Sequence, residues 1–215
     1  RDKIIKIAIM KTLVTRLFSL LMVLSLVHIN IAAFGQEVIY SEEFNYTTGQ
    51  LPPGWVLEAE QAPPWSVNNS AMAGGEAPEL ALGYSFAAGL SRLISPAIDI
   101  EGYEALRLTY KQYLINYAMD WGEIIGQDVT FDGGATWHVI WEKAISTLNI
   151  PPDTYVYPIS VPTGAAEMQI AFRYEGNSNA INWWLIDDII LEPAADNDLL
   201  TASFAGSITP VEDEQ

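Results

Sequence analysis

Residues 105–117 read ALRLTYKQYLINY. Leu106, Leu108, Tyr110 and Leu114 fall on one face, and Arg107, Thr109 and Lys111 on the other. A period of two is that of a half-buried β-strand, since successive side chains of a strand point to opposite sides. The same period recurs around it. Met168, Ile170, Phe172 and Tyr174 share a face opposite Gln169, Ala171 and Arg173, and Trp137, Val139 and Trp141 alternate with His138, Ile140 and Glu142. Further strands are expected at 38–44, 54–59, 80–86, 90–94, 124–131, 155–161 and 182–191. Turn chemistry separates them: Pro52-Pro53-Gly54, Pro63-Pro64, Gly74-Gly75, Asp132-Gly133-Gly134, Pro151-Pro152-Asp153 and Gly176-Asn177. No stretch after residue 36 sustains a helical period. Many short strands at this spacing predict an all-β sandwich or barrel.

The N-terminal residues belong to a different pattern. Residues 1–9 precede the first methionine, Met10, and read as lying upstream of the true start. Lys11 and Arg16 then form a basic segment, and Phe18 to Val27 an apolar run. Ala33-Phe34-Gly35 offers small residues before Gln36. This is the layout of a secretory signal, so residues 1–35 are expected to be a signal region. A membrane anchor is the rival reading, but Ser19, Ser25, His28 and Asn30 interrupt the run, whereas a span needs roughly 20 mostly apolar residues. No membrane insertion is expected after signal removal, and the domain is expected to be secreted or at the cell surface. Residues 36–192 carry the strands. Residues 193–215 lose all periodicity and read as a tail, or as a linker toward further domains beyond residue 215.

Charge sharpens this division. The chain of 215 residues has 10 basic and 27 acidic residues. Arg1, Lys3, Lys6, Lys11, Arg16 and Asp2 all precede residue 36, which leaves 5 basic and 26 acidic residues and a net charge of −21. So acidic a domain lacks the clustered cations that nucleic-acid binding requires. There is no cysteine, so disulfides, thiol nucleophiles and cysteine zinc sites are excluded. After residue 36 the one histidine is His138, and neither G-x-S-x-G nor H-E-x-x-H occurs. No catalytic constellation is identifiable. With 26 acids available, no carboxylate pair for glycoside hydrolysis stands out.

Three segments together carry a family likeness. They are Phe44-Asn45 with Leu51-Pro52-Pro53-Gly54-Trp55, then Ser95-Pro96-Ala97-Ile98-Asp99-Ile100, then Trp184-Leu185-Ile186-Asp187-Asp188-Ile189. In order and spacing the set resembles the MAM-like jelly-roll domains of bacterial surface proteins, of the choice-of-anchor J and cleaved-adhesin type. The resemblance implies a two-sheet antiparallel jelly-roll β-sandwich, exported and usually joined to other modules. It implies no single activity. After Trp55 the chain has only Glu58 and Glu60, not the aspartate-rich run of the cleaved-adhesin subgroup.

Four acids at the ends of such a fold, Glu42, Glu43, Asp187 and Asp188, are candidates for a shared structural Ca²⁺, which favours hard oxygen ligands. Glu43 and Asp188 are the metal ligands chosen here. The competing reading has Asp187 or Asp188 only capping backbone amides. The run Thr130-Phe131-Asp132-Gly133-Gly134-Ala135-Thr136-Trp137 matches an Asp-box, read as a structural hairpin. Trp55, Trp137 and Trp184 sit in fold motifs and read as core. Trp121, with Asp120, Tyr117 and Asn116 in a loop-like stretch, is the ligand-binding candidate, and Trp65 after its two prolines is a second. Core packing competes for each tryptophan. The leading functional reading is a non-catalytic module for adhesion or carbohydrate recognition, binding a glycan or an extracellular protein. An accessory domain of a secreted peptidase or glycoside hydrolase, and a structural spacer, compete with it.

Overall fold

A computed structural model describes residues 37–194. The expectations for residues 1–35 and for the tail after Ala194 lie outside them. Twelve strands run in chain order: β1 (Tyr40–Glu42), β2 (Val56–Ala59), β3 (Trp65–Asn68), β4 (Glu79–Gly83), β5 (Leu90–Ile94), β6 (Ile98–Asp99), β7 (Ala105–Asn116), β8 (Ile124–Thr130), β9 (His138–Ala144), β10 (Ile150–Ser160), β11 (Glu167–Glu175) and β12 (Ile181–Pro193). A single 3₁₀ turn at Ser178–Ala180 precedes β12. The strands form two antiparallel sheets. The first has the order β10-β7-β12-β4-β3, with β1 also on β12; the second has β2-β5-β11-β8-β9, with β6 also on β11. This is the expected all-β, two-sheet antiparallel jelly-roll sandwich.

The period-two stretches build the layer between the sheets. Leu106, Leu108, Tyr110 and Leu114 of β7 and Met168, Ile170, Phe172 and Tyr174 of β11 are all buried in one core. Trp184 anchors it, edge-on to Phe172 with centroids 6.0 Å apart and tilted against Trp65 at 5.5 Å. Its indole N–H donates to Gln112 Oε1 at 2.8 Å, which satisfies the one polar atom a buried tryptophan carries.

Two expectations fail here. Trp65 is not a ligand platform: it lies in β3, and only 4% of it is exposed. The two prolines before it end a loop and deliver it into an edge strand, whose register with β4 turns Trp65 inward opposite Leu82. Trp137 is not core either. β9 carries a bulge, with Val139 opposite Asp128 but Trp141 opposite Gln127. The extra residue breaks the alternation. Trp141 turns inward, while Val139 stays exposed and Trp137 lies beside Arg92.

β12 is the spine. One side pairs with β7 along its length. The other pairs with β4 over 183–186 and then with β1 over 189–191, so Asp187 and Asp188 fall in the gap between two partners. Asp188 takes a left-handed φ of 49°, uncommon for any residue but glycine and most tolerated in Asn and Asp. β11 has a similar gap between β5 and β6, closed by Ser95. Ser95 N–H donates to the Ile170 carbonyl and Ser95 Oγ accepts from Ile170 N–H at 2.9 Å. At the outer edge of its sheet, β10 carries Pro151, Pro152 and Pro158. The last strand runs through Pro193, and Ala194 N–H bonds the Ala105 carbonyl, slightly beyond the expected domain end at 192.

Phe172 touches Trp55, Tyr110 and Trp184 at once. Phe172→Ala is therefore expected to cost about 3–5 kcal/mol, read as a lower urea midpoint at unchanged slope.

Candidate functional site

Two regions bring together sequence-predicted residues. The first is the gap in β12. Glu43 and Asp188 line one cleft of about 250 Å³ with Asn45, Gly74, Gly75, Glu76 and Lys111. The two chosen metal ligands thus share a wall, but neither is the most exceptional acid there. Asp188 is paired: Lys111 Nζ donates to its Oδ2 at 2.6 Å and to the Gly74 carbonyl at 2.9 Å. Glu43 accepts from Asn45 Nδ2 at 3.0 Å. Glu42 is saturated by Phe44 N–H, Tyr46 O–H and the Trp55 indole, and it holds the chain as it turns out of β1. Glu79 is likewise saturated by Ser70 Oγ and the amides of Met72 and Ala73, fixing the β3–β4 loop.

Asp187 is the exception. It is 1% exposed, and neither carboxylate oxygen has a hydrogen-bond partner. An unpaired buried carboxylate is costly, so the proton is retained more tightly. Burial pushes its carboxyl up to about 7 against the opposing pull of the Asp188 backbone amide and the Lys111 charge, and the charges of Asp188 and Glu79 add to the rise. Gly75 is what lets it fit. A Cβ on Gly75 would stand 2.0 Å from Asp187 Oδ2 and 3.1 Å from Asp188 Oδ2, so both carboxylates converge on this backbone. Asp187 was one of four candidates in the sequence. Its burial was not visible there, because it comes from the β3–β4 loop folding over the outer face of the sheet.

The second region is one end of the sandwich. The β4–β5 and β7–β8 loops meet there, with Tyr84 and Tyr117 rings 5.7 Å apart and Phe86 edge-on to Tyr84 at 5.7 Å. All three rings are about half exposed or more, and Trp121 is 56% exposed on the same loop as Tyr117. Asp120 is exposed beside it. Trp121 N–H donates to Glu123 Oε2 at 3.0 Å, which ties the loop down behind the indole. Asn116 does not join this surface. It is buried, and its amide is spent inside the loop, accepting from Met119 N–H at 3.0 Å and donating to the Met119 carbonyl at 3.1 Å. It is a loop staple, a role its side chain chemistry permits as readily as ligand contact. Sequence reading missed Tyr84 and Phe86. Their stretch looked like the end of a strand, and only the fold puts Tyr84 against Tyr117, with Phe86 on Tyr84.

The Asp-box is formed as expected. Thr130 Oγ1 donates to Asp132 Oδ1 at 2.7 Å and accepts from Gly134 N–H, and Asp132 Oδ1 accepts from Thr136 N–H at 2.8 Å. The Thr136 amide, above all, holds the Asp132 carboxyl below its ordinary value. His138 lies on exposed β9 with its ring 5.7 Å from Phe131.

No protein-family model and no curated protein matches the chain. Among solved structures, the chain is similar to the K1 cleaved adhesin domain of Lys-gingipain from Porphyromonas gingivalis W83. The TM-score is 0.54 at 15% identity, over 73% of this chain and 98% of that one. The K3 cleaved adhesin domain of the same protein matches with a TM-score of 0.50 at 17% identity, over 74% and 100%. The likeness is one of fold. It agrees with the sandwich that the resemblance implied.

Asp187 supplies a pH test. Its folded pKa lies above its unfolded value, so the native state binds the extra proton between about pH 4 and 7 and loses stability as pH rises through that window. In chelator, wild type is expected to lose melting temperature from pH 5 to 7.5 more steeply than Asp187→Asn. Equal slopes would remove Asp187 from the account. Gly75→Ala is expected to lower the melting temperature under the same conditions.

Proposed function

We propose that the chain is an exported, non-catalytic binding module of the MAM-like, choice-of-anchor J and cleaved-adhesin type. On this reading its ligand is a glycan and its ligand surface is the aromatic end. The observation that carries the reading is the row Phe86, Tyr84 and Tyr117, with Trp121 further along the loop of Tyr117: large rings left in water on loops that backbone and carboxylate bonds hold in place. Exposed aromatics of this density mark binding surfaces rather than packing. A ring face matches the C–H face of a sugar, and Asp120 offers an acceptor to its hydroxyls. The ordered segments at 44–55, 95–100 and 184–189 and the fold likeness support the family assignment; the signal-like residues 10–35 support export. No helix among the described residues is long and apolar enough to cross a membrane.

A structural Ca²⁺ at the β12 gap is part of the same reading. The donors suit it: Asp187 brings two unsatisfied carboxylate oxygens, Asp188 a convergent one, and Gly74 a carbonyl. Among the described residues no three acidic or imidazole side chains gather as an ion site, so backbone carbonyls would complete the shell. A bound ion would neutralise Asp187 and release Lys111 from Asp188 and Gly74. It would tie the loop over Gly75 to the strand that joins β4 and β1.

Two measurements test these readings. On a glycan array, Trp121→Ala and Tyr84→Ala are each expected to reduce binding tenfold or more at unchanged melting temperature. Binding to an extracellular matrix protein alone would move the ligand to the protein class. By calorimetry, millimolar Ca²⁺ is expected to raise the unfolding temperature over that in EDTA, and Asp187→Asn to abolish the difference. Identical temperatures in wild type would remove the ion.

A further inference from the structure

The outer face of the second sheet holds an arrangement that neither the fold nor the aromatic end requires. Arg92 of β5 stands directly opposite Arg173 of β11. Like charges in direct cross-strand register are unfavourable. Only five basic residues follow residue 36, and two of them meet here. Asp128 of β8 makes the pairing tolerable. Its carboxylate is fully buried, accepting from Arg92 Nε at 3.1 Å and from Arg173 Nε at 2.9 and 3.2 Å. Arg173 is engaged through all three of its nitrogens. Its Nη2 donates to Glu142 at 2.8 Å and its Nη1 to Glu175, and it lies flat on Gly126, where a Cβ would stand 2.6 Å from Nη2.

Arg92 is not spent. Among the described residues its terminal nitrogens have no hydrogen-bond partner. Its guanidinium is nevertheless fixed, held at Nε by Asp128 and with Cζ 5.1 Å from the centre of the Trp137 ring. Glu142 and Glu175 are about half exposed, and each pairs with Arg173 through one oxygen. Buried ion networks add little net stability over apolar packing, but they do hold polar groups in set positions. The face therefore presents fixed donors on Arg92 and fixed acceptors on Glu142 and Glu175, with the Trp137 ring backing the Arg92 guanidinium. Hydroxyl groups donate and accept at once, so a polyol satisfies both kinds of group. An anionic ligand satisfies only the donors and meets a net charge of −21 on residues 36–215.

We propose that the strip Trp137–Arg92–Asp128–Arg173–Glu142 is a binding site for a neutral saccharide, separate from the aromatic end. Arg92 donates to adjacent sugar hydroxyls, Glu142 and Glu175 accept from them, and Trp137 holds the Arg92 guanidinium against its ring. Arg173 and Asp128 position these groups without touching the sugar.

Affinity electrophoresis through gels containing arabinoxylan, galactan, glucomannan, xyloglucan or polygalacturonate tests this. Retardation is expected in at least one neutral polysaccharide and not in polygalacturonate. Glu142→Gln, at an exposed residue, and Arg92→Ala are each expected to weaken that retardation tenfold or more, while Glu101→Gln, exposed on the β6–β7 loop, leaves it within twofold. If Arg92→Ala lowers the melting temperature, Glu142→Gln decides. Retardation in no neutral polysaccharide, retardation only in polygalacturonate, or a Glu142→Gln protein that binds as wild type would each overturn the proposal. Loss in Tyr84→Ala with retention in Glu142→Gln would overturn it too, and would leave the aromatic end as the glycan surface.

Discussion

One strand has to serve two partners on the same side. β12 gives its first half to β4 and its second half to β1, and the changeover is made by Asp188 in a left-handed conformation. Without that step the inward face of the strand would not switch cleanly from Trp184 and Ile186 to Ile189 and Leu191, all of which lie in the core. This join pairs the first strand of the domain, β1, with the last, β12. The changeover also leaves two residues without a neighbouring strand on one side. The β3–β4 loop folds over them, and a carboxylate is sealed there with no partner. The β12 gap is thus a by-product of how the sheet closes, and the chemistry of Asp187 follows from it.

Energetically the two outer faces differ in kind. Over the first sheet, an acid lies buried without compensation. Over the second, Asp128 is buried with more compensation than it needs, between two arginines. Both departures occur on sheet surfaces, where ordinary sequences place interchangeable polar residues. The core itself is conventional, with aromatic and aliphatic side chains packed around Trp184 and Phe172.

Much of this was legible in the sequence. Period two in 105–116 and 168–174 gave the correct inward residues, because each strand is central in its sheet and buried on one regular face. The motifs at 95–100 and 184–189 were also informative: Ser95 closes the gap in β11, and Trp184 is the core anchor. What failed, failed for nameable reasons. A bulge in β9 put Trp137 outside, which no alternation count detects. A four-residue edge strand hid behind Pro63-Pro64, so Trp65 looked like loop. Asn116 carried a side chain suited to ligands and used it on its own loop. The aromatic neighbours of Tyr117 could not be read at all, since Tyr84 reaches it, and brings Phe86, only through sheet topology. The acids at 187–188 stood side by side in the sequence, but which of them is buried depends on a loop more than a hundred residues earlier in the chain.

The prolines of β10 have a consequence for life at high concentration. An edge strand with free amides is a template on which another chain can add a strand. Pro151, Pro152 and Pro158 have no amide hydrogen, so β10 offers a broken row to any incoming strand. Copies of such a sandwich can be crowded side by side, in a matrix or along one polypeptide, without that edge fusing one sheet to the next. Contact between neighbours is then left to side chains, which sequence change can retune without rebuilding the sheet.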